Sequence, residues 1–238
     1  MERLDKIISN LGLASRKEAK QMARKGMIEV DGEVAKDSSM LVDPEKANIV
    51  VNGEKIFYRK YIYLLMNKPD GVISATSDNH DETVIDLLEP DHQVFEPFPV
   101  GRLDKDTVGL LILTNDGELN HRLISPKFHV NKVYFAKIDK EVTGKDIESF
   151  KKGIKLDDGY VCREAQLNIL SADENGSEIE LTIQEGKFHQ VKRMFEAVDK
   201  KVTYLKRISF GGIKLDDKLE EGEYRELTES ELEMLKSY

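Results

Sequence analysis

The chain has 238 residues, 39% of them hydrophobic and 34% charged, with a formal net charge of −9 at pH 7. That length holds one large domain or two of unequal size, and no run reaches the roughly 18–20 apolar residues needed to span a bilayer. The single cysteine, Cys162, excludes an internal disulfide framework, and the charged opening MERLDKIISN lacks the apolar core of a secretory signal, so a cytoplasmic protein is expected.

Residues 2–10 read as a short helix, with Leu4, Ile7 and Ile8 on one face, and Asn10-Leu11-Gly12 breaks it. A second helix starts after Ser15, which forms an S-x-x-E capping box with Glu18, and it ends near Arg24 with Gly26 as C-cap glycine. Ile28 and Val30 alternate with acids, Asp31-Gly32 is a hairpin turn signal, and Val34 starts a return strand. Residues 48–51 supply another strand before Asn52-Gly53, and GEKIFYRK (53–60) serves as a connection. This unit is where positive charge gathers. Residues 1–25 hold seven basic side chains against three acidic ones, although an acidic chain as a whole would repel a polyanion.

From about residue 61 onward the chain is strand-rich. Residues 61–66, 110–114, 132–138, 166–170, 178–183 and 204–210 are rich in β-branched or aromatic residues, and several alternate. Helices are expected at 117–125, 143–152, 188–198 and 229–237, the last with a second capping box from Thr228 and Glu231. The proline cluster in EPDHQVFEPFPV (89–100) marks an irregular connection. The expected fold is α+β: a domain at 1–55, a linker at 56–60, and a domain at 61–238 built on a mixed, largely antiparallel sheet with flanking helices.

The most informative stretch is GRLDKDTVGLLILTNDGELNHRLISPK (101–127), which places Asp104 on a Gly-flanked loop just before a buried strand, with Arg102 beside it. Taken alone, the same residues could be an Arg–Asp pair on a surface turn. No CxxC or HExxH spacing argues for a metal, and no Walker or GxGxxG loop argues for a nucleotide cofactor. The five histidines, His80, His92, His121, His129 and His189, are scattered, and none is singled out as catalytic.

GRLDKDTVGLL (101–111) resembles the signature of pseudouridine synthases that act on ribosomal RNA. Further blocks of that family follow in the same order: NKPDG (67–71), TNDG (114–117), KVY (132–134), EGKFHQVKRMF (185–195), GGIKLD (211–216) and GEYRELT (222–228). The first 50 residues resemble the small RNA-binding module named after ribosomal protein S4, through RLDK (3–6), Ser15-Arg16, and Gly26 through VDG (30–32). Within the family, the RLDKDT spelling, His121-Arg122 and Ser125-Pro126-Lys127 are most similar to the small-subunit (16S) rRNA enzymes.

The resemblance implies isomerisation of an rRNA uridine, position 516 of 16S rRNA in standard numbering, with Asp104 as the catalytic carboxylate. No cofactor or metal is implied, because uracil is both leaving group and incoming nucleophile. The partner would be rRNA in an assembling small ribosomal subunit, with no membrane and a monomeric enzyme. An ionised aspartate gains from a nearby cation. By motif position that cation is Lys192, with Arg193 as a rival. Tyr134 matches the tyrosine that would stack on the target base, although as a strand aromatic it could equally fill the core. Ile183 is expected to pack against the pocket, with Leu181 as the alternative, and Arg102 matches a residue that fills the space left when the uridine is extruded. Lys68 reads as backbone-contacting rather than catalytic. Arg3, Arg16, Lys17, Lys20 and Lys25 are candidates for docking RNA through its phosphates. The same reaction on 23S rRNA, or an inactive RNA-binding assembly factor, are the competing readings.

Overall fold

In the computed structural model, which describes residues 1–44, 46–56 and 58–238, the S-x-x-E spacing at Ser15 closes a full capping box on the helix Arg16–Arg24. The Ser15 amide donates to Glu18 Oε2 at 2.8 Å and the Glu18 amide donates to Ser15 Oγ at 3.3 Å. Ala19 and Ala23 turn the buried face of this helix toward Leu4, Ile7 and Ile8 of the helix Leu4–Asn10. That first helix is shorter than the expected 2–10, because Glu2–Arg3 pairs antiparallel with Leu41–Val42 instead. A four-stranded antiparallel sheet, ordered Glu33–Val34, Ile28–Val30, Ile49–Val51, Glu54–Ile56, completes this core.

The segment 53–60 is not the plain connection expected. Asn52 and Gly53 both have positive φ, 54° and 83°, the geometry of a two-residue hairpin turn, and such a turn delivers a return strand. Glu54–Ile56 is that strand, so Ile56 is paired to Ile49 rather than free. Tyr58 is buried with the same core, its hydroxyl accepting from Asn10 Nδ2 and donating to Glu2 Oε2. Phe57, within the expected linker 56–60, lies outside the described residues. The chain divides into two units, Met1–Ile62 with Glu89–Glu96, and Tyr63–Leu88 with Pro97–Tyr238. Part of the proline-rich stretch therefore belongs to the first unit, where Pro90–Gln93 forms one helical turn.

Among the described residues the second unit carries a nine-stranded mixed sheet. Its main path runs Gln166–Asp173, Gly176–Ile183, Lys132–Ile138, Val202–Phe210, Val108–Thr114, Tyr63–Lys68, Tyr224–Glu226. Every pairing is antiparallel except Val202–Phe210 with Val108–Thr114. At that parallel seam Gly109 has φ +100° and faces Arg207, and a Cβ there would sit 2.4 Å from the Arg207 carbonyl oxygen. Only glycine allows so close an approach. Val108–Thr114 is buried along its whole length, which is why it reads as one apolar run instead of an alternation.

The helices Gly117–Ile124, Gly144–Lys152, Gln190–Glu196 and Glu229–Lys236 fall where periodicity places them. The third is shorter than the expected 188–198, because His189 takes a left-handed backbone (φ 48°) that stops the helix from extending toward Phe188. Phe150 and Phe195 pack with ring centroids 4.8 Å apart, tying two of these helices together. Removing either ring would cost about 3–5 kcal/mol.

Helix Glu229–Lys236 is fastened by Arg225, whose two terminal nitrogens donate to the two Glu231 oxygens at 2.8 Å each while Nε donates to Asp216. Hydrogen bonds from Arg225 hold the Glu231 carboxyl down at about 2, against an ordinary value of 4.5. Because the folded value is the lower one, this stabilisation is complete above pH 4.5 and is lost as the pH falls toward 2. Glu231→Gln is expected to cost about 1.5–3 kcal/mol at neutral pH. It should also flatten the stability–pH curve between 4.5 and 2, measured by urea unfolding.

Candidate active site

The site is built on the loop 101–107, and two buried side chains hold that loop from below. Ser74 Oγ donates to the Leu103 carbonyl and accepts from the Leu103 amide, both at 3.0 Å. Lys68 is fully buried, and its ammonium donates to the carbonyls of Pro69, Lys105 and Thr107 at 2.9, 3.2 and 3.0 Å. Burial pushes the Lys68 amine down to about 8, opposed by the carboxylates of Asp70, Asp106 and Asp104. The Thr107 amide donates back to the Asp104 carbonyl at 3.0 Å, which closes the turn. Lys68 thus contacts backbone, as expected of it.

Above this loop the Asp104 carboxylate is 27% exposed and meets two groups from one short segment. Lys192 Nζ lies 3.5 Å from one oxygen and His189 Nε2 lies 3.6 Å from the other. Lys192 also donates to Asp106 at 2.5 Å, and this hydrogen bond holds the Asp106 carboxyl below its usual range. Arg193 points elsewhere and pairs with Asp157 and Asp158. Of the two rival cations, the geometry brings Lys192 to Asp104. Neighbours on a helix diverge by about 100°, so only one of them can face the loop.

A small cavity of about 60 Å³ joins Arg102, Asp104, Thr107, Tyr134, Ile183 and His189. Ile183 lines it, whereas Leu181 is fully buried opposite Tyr134 in the strand ladder and does not. Tyr134 is both a strand aromatic, 7% exposed, and a wall of this cavity, so neither of its two sequence readings excludes the other. The Thr107 hydroxyl is buried and has no partner among the described residues. A second recess, about 220 Å³, shares Arg102, Tyr134, Gly186 and Lys187 with the first.

The turn ahead of the His189–Lys192 segment is stapled by Glu185. It accepts from the Tyr160 hydroxyl, from the Arg163 amide at 3.0 Å and from Gln190 Nε2 at 3.0 Å, while the Lys187 amide donates to Gln190 Oε1 at 2.9 Å. Burial would raise the Glu185 carboxyl, but these hydrogen bonds prevail and hold it below its usual value.

Sequence reasoning passed over His189, Asp106, Glu185 and Arg207. His189 stands just ahead of the helix Gln190–Glu196 with a left-handed backbone, so helical spacing does not mark it as a partner of Lys192. Arg207 becomes visible only through the register that sets it opposite Tyr134. In the first unit Arg16, Lys17, Lys20 and Lys25 are exposed, while Arg3 is committed to a two-pronged pair with the buried carboxylate of Asp5. Among the described residues no three His, Cys, Asp or Glu side chains converge to hold a metal ion, and no helix is long and apolar enough to cross a membrane.

The RNA pseudouridylate synthase family model matches residues 62–197, which include every residue of this site except Arg207, and the S4 domain model matches residues 2–48. The chain is 50% identical over 233 residues to an RNA pseudouridine synthase of Bacillus subtilis, YtzG, covering 98% of each. It is 39% identical over 240 residues to ribosomal large subunit pseudouridine synthase B of the same organism, covering 100% of this chain and 96% of that one. To ribosomal small subunit pseudouridine synthase A of Vibrio cholerae it is 38% identical over 231 residues, 97% of each. A crystal structure of a pseudouridylate synthase, 36% identical, superposes with a TM-score of 0.69 over 99% of this chain and 100% of that one. The chain belongs to the RNA pseudouridylate synthase family. It is therefore an isomerase, with an S4 domain ahead of its catalytic domain.

Since Glu185 satisfies three donors in a buried position, Glu185→Ala is expected to cost about 3 kcal/mol in urea unfolding. Glu185→Gln, which keeps an acceptor, should cost less.

Proposed function

We propose that this protein converts a uridine of ribosomal RNA into pseudouridine, with Asp104 as the carboxylate acting at the sugar. The observation that carries the reading is the constellation in the small cavity: an aspartate faced by Lys192 at 3.5 Å, with Tyr134 and Ile183 forming the walls. In the reaction the C1′–N1 bond breaks, uracil turns, C1′–C5 forms, and one hydrogen is lost from C5 while N1 gains one. No other reactant is needed, so positioning and charge are what the site must supply. Lys192 sets a positive charge beside the Asp104 carboxylate. Tyr134 offers a ring for the base, and Arg102, exposed at the rim, fills the gap left in the RNA, where a guanidinium plane can stack and hydrogen-bond at once.

The substrate we infer is 16S rRNA in an assembling small subunit, with uridine 516 as the target. Support comes from the spelling RLDKDT (102–107), His121-Arg122 and Ser125-Pro126-Lys127. Overall identity favours neither branch, and the match to the large-subunit enzyme makes 23S rRNA the second reading. Residues 1–55 act as the RNA-docking domain and 61–238 as the catalytic one, joined through 56–60. Arg16, Lys17, Lys20 and Lys25 supply phosphate contacts, and Arg3 does so with whatever charge Asp5 leaves it. The protein works as a monomer in the cytoplasm. An inactive assembly factor is disfavoured by the intact Asp104, Tyr134 and Lys192.

Mapping pseudouridine by chemical modification and reverse transcription, on free rRNA and on partial particles, tests this reading. Wild type should add one stop in 16S rRNA and Asp104→Ala none. A stop in 23S rRNA moves the substrate, and none on any RNA overturns the enzyme reading. Lys192→Met is expected to lower turnover about 10²-fold. Arg193→Met, which breaks the pair with Asp157 and Asp158 and a hydrogen bond to the Phe188 carbonyl but no contact with Asp104, should change it by about twofold or less.

A further inference from the structure

The larger recess beside the Asp104 cavity is strongly cationic. Its walls include Arg102, Lys132, Arg163, Lys187 and Arg207, against the single carboxylate of Glu185. That carboxylate is already engaged by Tyr160, the Arg163 amide and Gln190. Among the described residues neither of the two innermost cations forms an ion pair, and Glu185 acts on Lys132 only from a distance. Arg207 is 2% exposed, its Nε donates to the Leu110 carbonyl at 2.7 Å, and its Nη2 is buried without a partner among the described residues. Lys132 Nζ reaches only the Val130 carbonyl, at 3.2 Å, and lies over the Phe210 ring. Burial, reinforced by the charge of Arg207, pushes the Lys132 amine down to about 8.

A buried guanidinium beside a half-buried ammonium, with no carboxylate paired to either among the described residues, is costly, and a fold that served only stability would pair or replace them. An arrangement of this kind is explained when a ligand brings the missing negative charge. The strand register shows where that ligand would lie. Lys132 and Tyr134 alternate onto one face of Lys132–Ile138, about 7 Å apart. Arg207 stands opposite Tyr134 on the next strand. The recess is thus continuous with the cavity that takes the target base.

We propose that this recess binds one backbone phosphodiester of the substrate RNA next to the target nucleotide, with Lys132 and Arg207 as inner contacts and Arg163 and Lys187 at the mouth. The proposal rests on the pseudouridine synthase reading and adds to it a phosphate subsite that fixes the register of the strand. Free inorganic phosphate has the same chemistry, so the test must separate the two sources.

The experiment compares the full-length chain with Lys132→Met, Lys132→Arg and, as a control on the exposed face of the helix Gly144–Lys152, Lys151→Met, in filter binding of rRNA from about 50 to 200 mM salt. Loss of one phosphate contact should lower affinity about tenfold at low salt and reduce the log–log salt slope by about one. Lys132→Arg should restore both, and Lys151→Met should leave both unchanged. If Lys132→Met does not fold, Arg163→Ala replaces it with the same expectation. A wild-type slope in the folded variant overturns the proposal. So does an equal drop in Lys151→Met, or Lys132-dependent binding of inorganic phosphate with an unchanged RNA slope. Pseudouridine formed by wild type in the same samples reports separately on the isomerase reading. Its absence alongside a Lys132-dependent slope would sink that reading and leave the subsite standing.

Discussion

A lysine ammonium with no access to water, donating to three carbonyls of the loop that presents Asp104 and of its neighbour, is the contact on which the rest of the site depends. Lys68 reaches Pro69, Lys105 and Thr107, and so fixes both sides of the turn that presents Asp104. Burying that charge is unfavourable in itself, and the loop's carbonyls make it tolerable. The coupling runs both ways, since a loop that drifted would strand the ammonium and a missing ammonium would release the loop. Ser74 repeats the logic at Leu103 with a neutral hydroxyl. The motif NKPDG, far from Asp104 in sequence, is thus the floor under it.

With the loop held, the remaining parts arrive from the sheet and one short helix. Gly109 lets the strand carrying the loop lie against Val202–Phe210, and the pairing of Val202–Phe210 with Lys132–Ile138 sets Arg207 opposite Tyr134. Glu185 and Gln190 set the turn from which His189 and Lys192 reach the aspartate. His189 keeps a left-handed backbone that an ordinary residue adopts only at some cost, and it does so 3.6 Å from the Asp104 carboxylate. Charge follows the same division. The chain is acidic as a whole, yet the recess beside Tyr134 and the exposed face of the helix Arg16–Arg24 are cationic, the two places where RNA contact is proposed.

Local signals were legible in the sequence and rotational ones were not. Capping boxes at Ser15 and Thr228 depend on three-residue spacings, and both form. The long strands were placed to within two or three residues at their ends, because apolar runs mark them. The return strand after Asn52-Gly53 was taken for a linker, since its residues are mostly polar and only the turn's positive φ demands it. The choice between Lys192 and Arg193 turns on a rotation of one residue about a helix axis. Only the folded helix shows it, with Lys192 turned to Asp104 and Arg193 to Asp157 and Asp158. Arg207 went unnoticed because its meaning lies in a pairing across the sheet.

The most direct measurement of this account is amide hydrogen exchange across residues 101–109 in wild type and Lys68→Met. If the buried ammonium holds the loop that presents Asp104, the variant should exchange faster there by an order of magnitude or more, while the strand Lys132–Ile138 keeps its protection. Unchanged exchange in 101–109, in a variant that folds, would contradict the central role given to Lys68.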